Sequence, residues 1–294
     1  MTRKLLITGS NGFVATNLIQ KCKQEGFLTV LFNPKTDKWH ANRYREELEL
    51  AANRTPIDAV IHLGAIASTR ELNKEVLYGF NYEATTIIAD FCVKRDIPMS
   101  FISTSAIYGN VNNSLSEYAK SKLKAEIYLN SNKNLKFTIF RLFNTYGFNE
   151  MKKENMKSVV SDMIISALTQ NIIQIWQLPN LELGQQARDF IWVSDVTKIL
   201  LCVTLQEPMD SQTVDLGTGQ SVAFSELAEL VKAEVRNTEI VPLHFPSEYD
   251  LANYQTLTKA KMNWLSSSNN DLKLTRVEEI IPELVFKYRQ ELNL

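Results

Sequence analysis

The chain has 294 residues, of which 45% are hydrophobic and 22% are charged, and its formal net charge is −1. This length allows one large domain, or a nucleotide-binding domain with a smaller second lobe. A net charge close to zero gives no electrostatic reason to expect nucleic acid or an anionic membrane as a partner.

The first predicted element is a short strand at Lys4–Thr8, followed by the glycine turn GSNG at 9–12 and a helix pattern up to Gln24. A strand, a glycine turn and a helix in this order are typical of a dinucleotide-binding site. Gly9 makes the tight turn, and Gly12 lets a pyrophosphate approach the backbone. The helix N-terminus then offers N–H groups to the phosphates. The cofactor-binding residues predicted here are Gly9, Asn11, Gly12, Phe13 and Val14.

The second predicted strand, Leu28–Phe32, ends without an acidic residue. An acidic residue at this place would hold the adenosine 2′-hydroxyl of NAD. Asn33 and Lys35 follow instead, and Lys35, or alternatively Lys38 or Arg43, would attract the 2′-phosphate of NADP. We therefore predict NADP as the cofactor, with NAD as the alternative, and place Asn33 and Lys35 in its site. The alternative for Lys35 is a solvated loop charge.

The third predicted strand, at 57–63, ends in small residues that let a cofactor lie against the backbone. A long helix pattern then covers 73–95. The cofactor-binding residues predicted in these two segments are Leu63, Gly64, Ala65 and Asn81.

The stretch most suited to catalysis follows the fourth predicted strand, which ends near Thr104. Tyr118 and Lys122 lie four residues apart on the next helix and therefore share a face of it. A hydroxyl, a phenol and an ammonium around one substrate oxygen suit proton transfer coupled to hydride transfer. We expect Lys122 and a bound nicotinamide to lower the pKa of Tyr118 from its free value of about 10. The alternative is an ordinary pair on the helix surface.

The alternation of strands and helices up to a fifth strand, at 136–142, predicts the fold class. We expect an α/β fold with a doubly wound parallel sheet covered on both faces. After Gly147 the alternation loosens. We therefore predict a dinucleotide-binding domain at 1–143, with roughly 188–216, and a smaller mixed α/β lobe at 144–187 and 217–294.

The chain shows no pattern of a metal site, a signal peptide or a membrane span. Its three cysteines and three histidines are scattered and lack metal-ligand spacing. No apolar run approaches the roughly 18 residues that a membrane span needs. We therefore expect a cytoplasmic protein with no metal and no membrane partner.

With GSNG at 9–12 and YAKSK at 118–122, the chain resembles the extended short-chain dehydrogenases/reductases. These are nucleotide-sugar epimerases, dehydratases and reductases. The motifs that extend the resemblance over nearly the whole chain are HLGA at 62–65, RLFNTYG at 141–147, RDFIWVSD at 188–195 and DLGTG at 215–219. A narrower resemblance, to the ADP-L-glycero-D-manno-heptose 6-epimerases, is carried by GAIAST at 64–69, by residues 149–159, by FPS at 245–247 and by YQTLT at 254–258.

The resemblance implies a nucleotide-diphosphate sugar as substrate and a homo-oligomeric enzyme. It implies that Lys153, or alternatively Lys152, is a second catalytic base. A second base makes sense because a single acid/base serves only one face of the reacting carbon well. The substrate-binding residues that the resemblance implies are Ser68, Thr104, Asn144, Asn155, Arg188 and Tyr254.

Several of these residues also have ordinary structural interpretations. Arg188 would bind the substrate diphosphate through a bidentate guanidinium, or would pair with Asp189 or Asp195. Asn144 would bind substrate or cap a turn. Tyr254 would touch the sugar or belong to the core, and Lys153 would otherwise be a solvated loop lysine.

The predicted function is NADP-dependent 6-epimerisation of an ADP-glycero-manno-heptose through a transient keto intermediate. The alternatives are a nucleotide-sugar 4-epimerase or 4-reductase of the same superfamily and, from another class, a non-catalytic NADP-binding sensor or scaffold.

Overall fold

The computed structural model describes residues 2–34, 38–53, 56–67, 73–109, 115–205, 211–244, 254–267 and 273–294, without the side chains of residues 152, 154 and 155. The backbone falls into two compact units. Unit 1 contains Met1–Gly109, Leu115–Leu142 and Val196–Val214. Unit 2 contains Phe143–Asp195 and Asp215–Leu294.

Strands and helices alternate along most of the chain. The strands are Lys4–Thr8 (β1), Leu28–Phe32 (β2), Ala59–His62 (β3), Met99–Thr104 (β4), Phe137–Leu142 (β5), Asn144–Tyr146 (β6), Ile172–Gln177 (β7), Ala187–Trp192 (β8), Gln212–Leu216 (β9), Ser221–Ala223 (β10) and Glu239–His244 (β11). The α-helices are Phe13–Gln24 (α1), Ala41–Ala52 (α2), Lys74–Tyr78 (α3), Ala84–Arg95 (α4), Glu117–Ser131 (α5), Val159–Gln170 (α6), Val193–Thr204 (α7), Phe224–Glu234 (α8), Asn263–Ser267 (α9) and Val277–Leu292 (α10). Within the described ranges, no helix is both long enough and apolar enough to cross a membrane.

The sheet of unit 1 has the strand order β2-β1-β3-β4-β5-β9. The pairs β1–β2, β1–β3, β3–β4 and β4–β5 are all parallel. β3 is buried along its whole length, as expected of a parallel strand covered on both faces. The predicted doubly wound parallel sheet is confirmed. Its strand order changes direction between β1 and β3, and ligands of such sheets bind at the carboxyl ends of the strands beside this switch point.

The helix predicted at 73–95 is interrupted in the structure. A π-helical turn, Gly79–Glu83, separates α3 from α4. A Cβ on Gly79 would lie 2.2 Å from Cγ of Trp39, so the turn passes the indole only because residue 79 is glycine. Single π-turns inside helices are often found at functional sites, and this one carries Asn81.

Unit 2 is built around β8, which pairs with β10 in antiparallel and with β6 in parallel orientation. A second, two-stranded parallel sheet joins β7 and β11. Helices α6, α8 and α10 contribute the apolar side chains that cover these strands. The predicted division places roughly residues 188–216 with the first domain, and of these Val196–Val214 lies in unit 1. The strand Ala187–Trp192 belongs to unit 2 instead, because both of its partners lie there.

Candidate active site

The loops after β1 and β3 touch each other at the switch point. Gly9 has φ +63°, in the left-handed region that favours glycine. A Cβ on Gly9 would lie 2.5 Å from Cα of Gly64, so the contact is backbone to backbone. Thr8 stabilises it, because its Oγ1 is hydrogen bonded to Nδ1 of His62 at 2.6 Å and accepts from Gly64 N at 3.1 Å. The two loops are therefore held together by the chain itself.

The N-terminus of α1 is suited to bind a phosphate. Its N-cap residue is Gly12, and no side chain caps the helix. No capping side chain therefore competes with an anion at this helix end, and the helix dipole favours negative charge there. Asn11 and Gly12 are exposed, and Phe13 and Val14 are half-buried. These features fit the pyrophosphate of a dinucleotide.

The remaining predicted cofactor residues of these loops have accessible surface. Leu63 and Gly64 are half-buried, and Ala65 and Asn33 are exposed. Their contacts with a cofactor stay predictions.

Asn81 joins the loop after β3 to helix α5. Its side chain is fully buried, its Oδ1 accepts from Ile66 N at 2.7 Å, and its Nδ2 donates to Ile66 O at 3.1 Å and to Ser121 Oγ at 3.0 Å. Ser121 Oγ in turn donates to the carbonyl oxygen of Tyr118 at 2.7 Å. Both amide hydrogens are used within the chain, so Asn81 positions the loop after β3 against α5, and its predicted cofactor contact stays a prediction.

The structure brings two of the predicted catalytic hydroxyls together. Thr104 ends β4, Tyr118 lies in the first turn of α5, and the Thr104 hydroxyl acts on the phenol. Burial raises the pKa of Tyr118, and the Thr104 hydroxyl, as a donor to the phenol oxygen, opposes this only in part. The expected lowering of this pKa is therefore not produced by the residues of the chain, because removal of water from the phenol dominates.

Lys122 lies one turn further along α5 and is 2% exposed. Its Nζ lies 4.1 Å above the ring of Phe101, on which His62 stacks at a centroid distance of 5.6 Å. Burial lowers the pKa of Lys122 to about 7, although the carboxylate of Glu126 opposes the shift. Burial and the nearby Lys122 lower the pKa of His62 to about 3, so this imidazole is neutral. A perturbed lysine next to a buried phenol is typical of a catalytic site.

Sequence reasoning missed Glu126, which is 2% exposed. Its carboxylate accepts from Ser103 Oγ at 2.5 Å and from Nη2 of Arg141 at 2.8 Å. Nη1 of Arg141 also donates to the hydroxyl of Tyr108 at 3.0 Å. These contacts attach α5 to β4 and β5. The available signal was the i, i+4 spacing from Lys122 to Glu126.

In unit 2, Asn144 and Asp189 hold the strand ends in place. Nδ2 of Asn144 donates to Asp189 O and to Thr258 Oγ1, both at 3.1 Å. The carboxylate of Asp189 accepts from the N–H groups of Thr218, Gly219 and Ala260 at 2.7–2.9 Å. Asp189 therefore fixes the glycine turn after β9 and does not pair with Arg188. The substrate contact of Asn144 stays a prediction.

Arg188 lies between two aromatic rings. Its guanidinium carbon is 5.0 Å from the ring centroid of Tyr254 and 5.6 Å from that of Phe224, and Nη1 donates to Ala187 O at 2.9 Å. Burial lowers the pKa of Arg188, and the hydrogen bond with Tyr254 opposes the shift. Because burial disfavours the positive charge of this guanidinium, an anionic ligand beside it would stabilise the charged form.

The other predicted residues are placed as follows. Lys153 lies in the 3-10 turn Glu150–Met156, with its side chain 27% exposed. Lys35 and Ser68, and the segments with the FPS motif and most of the loop at 110–117, lie outside the described residues. The side chains of Asn155 and Lys152 lie outside them too, so their predicted roles stay predictions.

Known proteins are similar to this chain in sequence. The sequence model of the NAD dependent epimerase/dehydratase family matches residues 5–217. An ADP-L-glycero-D-manno-heptose-6-epimerase of Alkalilimnicola ehrlichii is 26% identical over 302 aligned positions, which cover 93% of this chain and 94% of that protein.

Solved structures share the fold. The ADP-L-glycero-D-manno-heptose-6-epimerase of Helicobacter pylori superimposes with a TM-score of 0.81 at 19% identity, covering 99% of this chain and 96% of its own. The UDP-glucose 4-epimerase of Thermus thermophilus, in complex with NAD, has a TM-score of 0.75 at 20% identity, covering 97% and 99%. The family model spans well over half of the chain. The protein belongs to the NAD dependent epimerase/dehydratase family.

Proposed function

We propose that the protein is a nucleotide-sugar epimerase that uses NADP and inverts C6 of an ADP-glycero-manno-heptose. The observation that carries the proposal is the grouping of Thr104 at the end of β4 with Tyr118 on α5, and of Lys122 buried one turn further along the same helix. A relative of nearly equal length, the Alkalilimnicola ehrlichii protein, is named as an epimerase of this sugar.

The proposed catalytic residues of unit 1 would transfer the proton of the substrate hydroxyl. Tyr118 would take the proton of the substrate hydroxyl, and Thr104 would hold the reacting oxygen at hydrogen-bonding distance from the phenol. A nicotinamide dinucleotide, held by the glycine turn and the N-terminus of α1, would supply hydride acceptance and return at the substrate carbon. The lysine ammonium would favour the phenolate form of Tyr118.

Inversion requires that an acid/base group also acts on the second face of the keto intermediate. At an exocyclic carbon, rotation about one bond presents that face. We propose that Lys153 serves it, with Lys152 as the alternative. A lysine suits this role because its flexible stem carries three donors and its amine exchanges a proton when it is deprotonated.

Arg188 is proposed to bind the substrate diphosphate. The flanking rings of Tyr254 and Phe224 hold the guanidinium in place. Among the described residues, no carboxylate forms an ion pair with it, and a phosphate would supply the missing counter-charge.

The test is an incubation of the protein with ADP-D-glycero-D-manno-heptose and NADP, followed by determination of the C6 configuration. We expect both epimers at equilibrium. Turnover of a UDP- or GDP-hexose in place of this sugar would reject the heptose assignment and favour a 4-epimerase or 4-reductase. Tight NADP binding without any turnover would favour the sensor.

The preference for NADP has its own test. β2 ends at Phe32 and Asn33 follows it, so no carboxylate comes directly after the strand to repel a 2′-phosphate. We expect titration calorimetry to give an affinity for NADP at least about tenfold higher than for NAD, which corresponds to about 1.4 kcal/mol. An equal or higher affinity for NAD would contradict the preference.

A further inference from the structure

Glu150 is a fully buried carboxylate in unit 2 that the proposed mechanism does not use. Its Oε1 accepts from Ser158 N at 2.5 Å and from Nζ of Lys153 at 3.3 Å. Its Oε2 accepts from Ser158 Oγ at 2.8 Å, Ser161 Oγ at 2.5 Å and Gly147 N at 3.4 Å. Both oxygens are therefore held by donors of the chain.

A second layer of hydrogen bonds fixes these donors. The hydroxyls of Ser161 and Tyr288 are 2.7 Å apart, and Tyr288 donates to Gly147 O at 3.3 Å. Tyr288 is fully buried on α10, and Ser161 is fully buried on α6. Gly147, Ser158 and Ser161 therefore hold the carboxylate of Glu150 directly, and Tyr288 contacts two of these residues without touching the carboxylate.

The turn itself brings Lys153 to this carboxylate. Residues three apart in a 3-10 turn lie on one edge of it, and Glu150 and Lys153 have this spacing in Glu150–Met156. The lysine side chain is 27% exposed, and its Nζ points to a carboxylate with no exposed surface. A long lysine stem on a short turn would otherwise sample many rotamers, and a charge-assisted contact with a fixed partner restricts them.

We propose that Glu150 is a positioning residue that fixes the ammonium of Lys153 as the proton donor for the second face of the reacting carbon. The proposal rests on the proposed epimerase function. When the keto intermediate is reduced back, its oxygen gains a negative charge, and the proton moves from Nζ of Lys153 to that oxygen. The neutral amine then regains a proton from water, and the phenol of Tyr118 releases to water the proton that it took from the substrate hydroxyl. The hydride removed from the carbon and the hydride returned to it balance, so the sugar has undergone no net oxidation or reduction.

Glu150→Gln removes the charge with little change in shape. The amide oxygen can take the place of Oε1 and still accept from Ser158 N. The amide nitrogen then faces the hydroxyls of Ser158 and Ser161, which can turn to accept from it, and only the long 3.4 Å contact from Gly147 N is lost. Tyr288→Phe is the matched control, because it removes a hydroxyl from the same network and leaves the contact between Glu150 and Lys153.

The first readout needs no substrate. At neutral pH, an amine-reactive acylating reagent is applied for a short time, and the labelling of Lys153 is measured by peptide mass spectrometry, with exposed Lys133 as internal reference. We expect severalfold more labelling of Lys153 in Glu150→Gln and no increase in Tyr288→Phe. No increase in Glu150→Gln, or an equal increase in both variants, would overturn the proposal.

The second readout uses the heptose substrate. We expect Glu150→Gln to lower kcat about tenfold with KM within about twofold. Borodeuteride quenching at steady state should trap more deuterium at C6 than in the wild type, because return of the keto intermediate is slowed. Tyr288→Phe should lower Tm without changing the trapped fraction. If Glu150→Gln lowers kcat but leaves the trapped fraction of deuterium unchanged, Glu150 has only a structural role and the proposal is wrong.

The two readouts distinguish a failure of the positioning role of Glu150 from a failure of the proposed epimerase function. If the wild type turns over no heptose but the labelling of Lys153 rises in Glu150→Gln, the contact between Glu150 and Lys153 is supported and the epimerase function is rejected.

Discussion

Tyr118→Phe is expected to lower kcat by a factor of about 10³ and to leave the affinity for NADP within about twofold of the wild type. The variant keeps the aromatic ring on α5 and removes only the hydroxyl, on which Thr104 acts. Without it, no group at this position takes the proton of the substrate hydroxyl. Steady-state kinetics and calorimetric titration with NADP measure the two quantities separately.

The matched control is Tyr128→Phe on the same helix. The hydroxyl of Tyr128 donates to Asp90 at 2.6 Å on the protein surface, so its loss should leave kcat unchanged. Near-normal turnover in Tyr118→Phe would remove Tyr118 from its proposed role. An equal loss of kcat in both variants would point to a disturbed helix.

The sheet of unit 1 was predictable because its signals are local. An apolar run followed at once by a glycine turn predicts β1 and α1, and the structure has both at Lys4–Thr8 and Phe13–Gln24. The interruption at Gly79–Glu83 was not predictable, because it depends on contact with Trp39, forty residues earlier in the chain. The strand β7 was missed, since Ile172–Gln177 follows α6 after one left-handed residue, Asn171, without a separating loop.

In the candidate site, too, only the features with local sequence signals were predictable. The positions of Tyr118 and Lys122 on one helix follow from their spacing, and the end of β4 at Thr104 follows from an apolar run. The direction in which the pKa of Tyr118 moves was not predictable, because burial is a property of the fold. Glu126 and Glu150 were missed for a related reason, since their structural importance lies in partners that only the folded chain brings to them.

Lys122→Met is expected to stabilise the cofactor-free protein and to inactivate the enzyme. The ammonium of Lys122 is 2% exposed, and its pKa is lowered to about 7 because burial disfavours the charged form. Methionine fills a similar volume without charge, and Glu126 keeps Arg141 as its partner. We expect a gain of about 1–4 kcal/mol in the free energy of unfolding at a pH of about 6, and a loss of kcat of about 10².

The gain from Lys122→Met should depend on pH in a defined direction. In the unfolded chain a lysine keeps its proton up to a pH of about 10. In the folded protein Lys122 loses it near pH 7, so between these values the unfolded chain binds more protons and wild-type stability rises with pH. Below about pH 7 both states are protonated, and the unfavourable contribution is fully present. The advantage of the variant should therefore be largest at about pH 6 and shrink by about pH 9.

Urea unfolding of both proteins at the two pH values measures this difference. Lys124→Met is the control, because Lys124 lies on the same helix with an exposed side chain. It should change stability by less than about 0.5 kcal/mol at either pH. A destabilised Lys122→Met, or a gain that does not fall as the pH rises, would contradict the conclusion that the fold holds this ammonium at an energetic cost. A stabilised but inactive variant would show that the charge is kept for catalysis and not for folding.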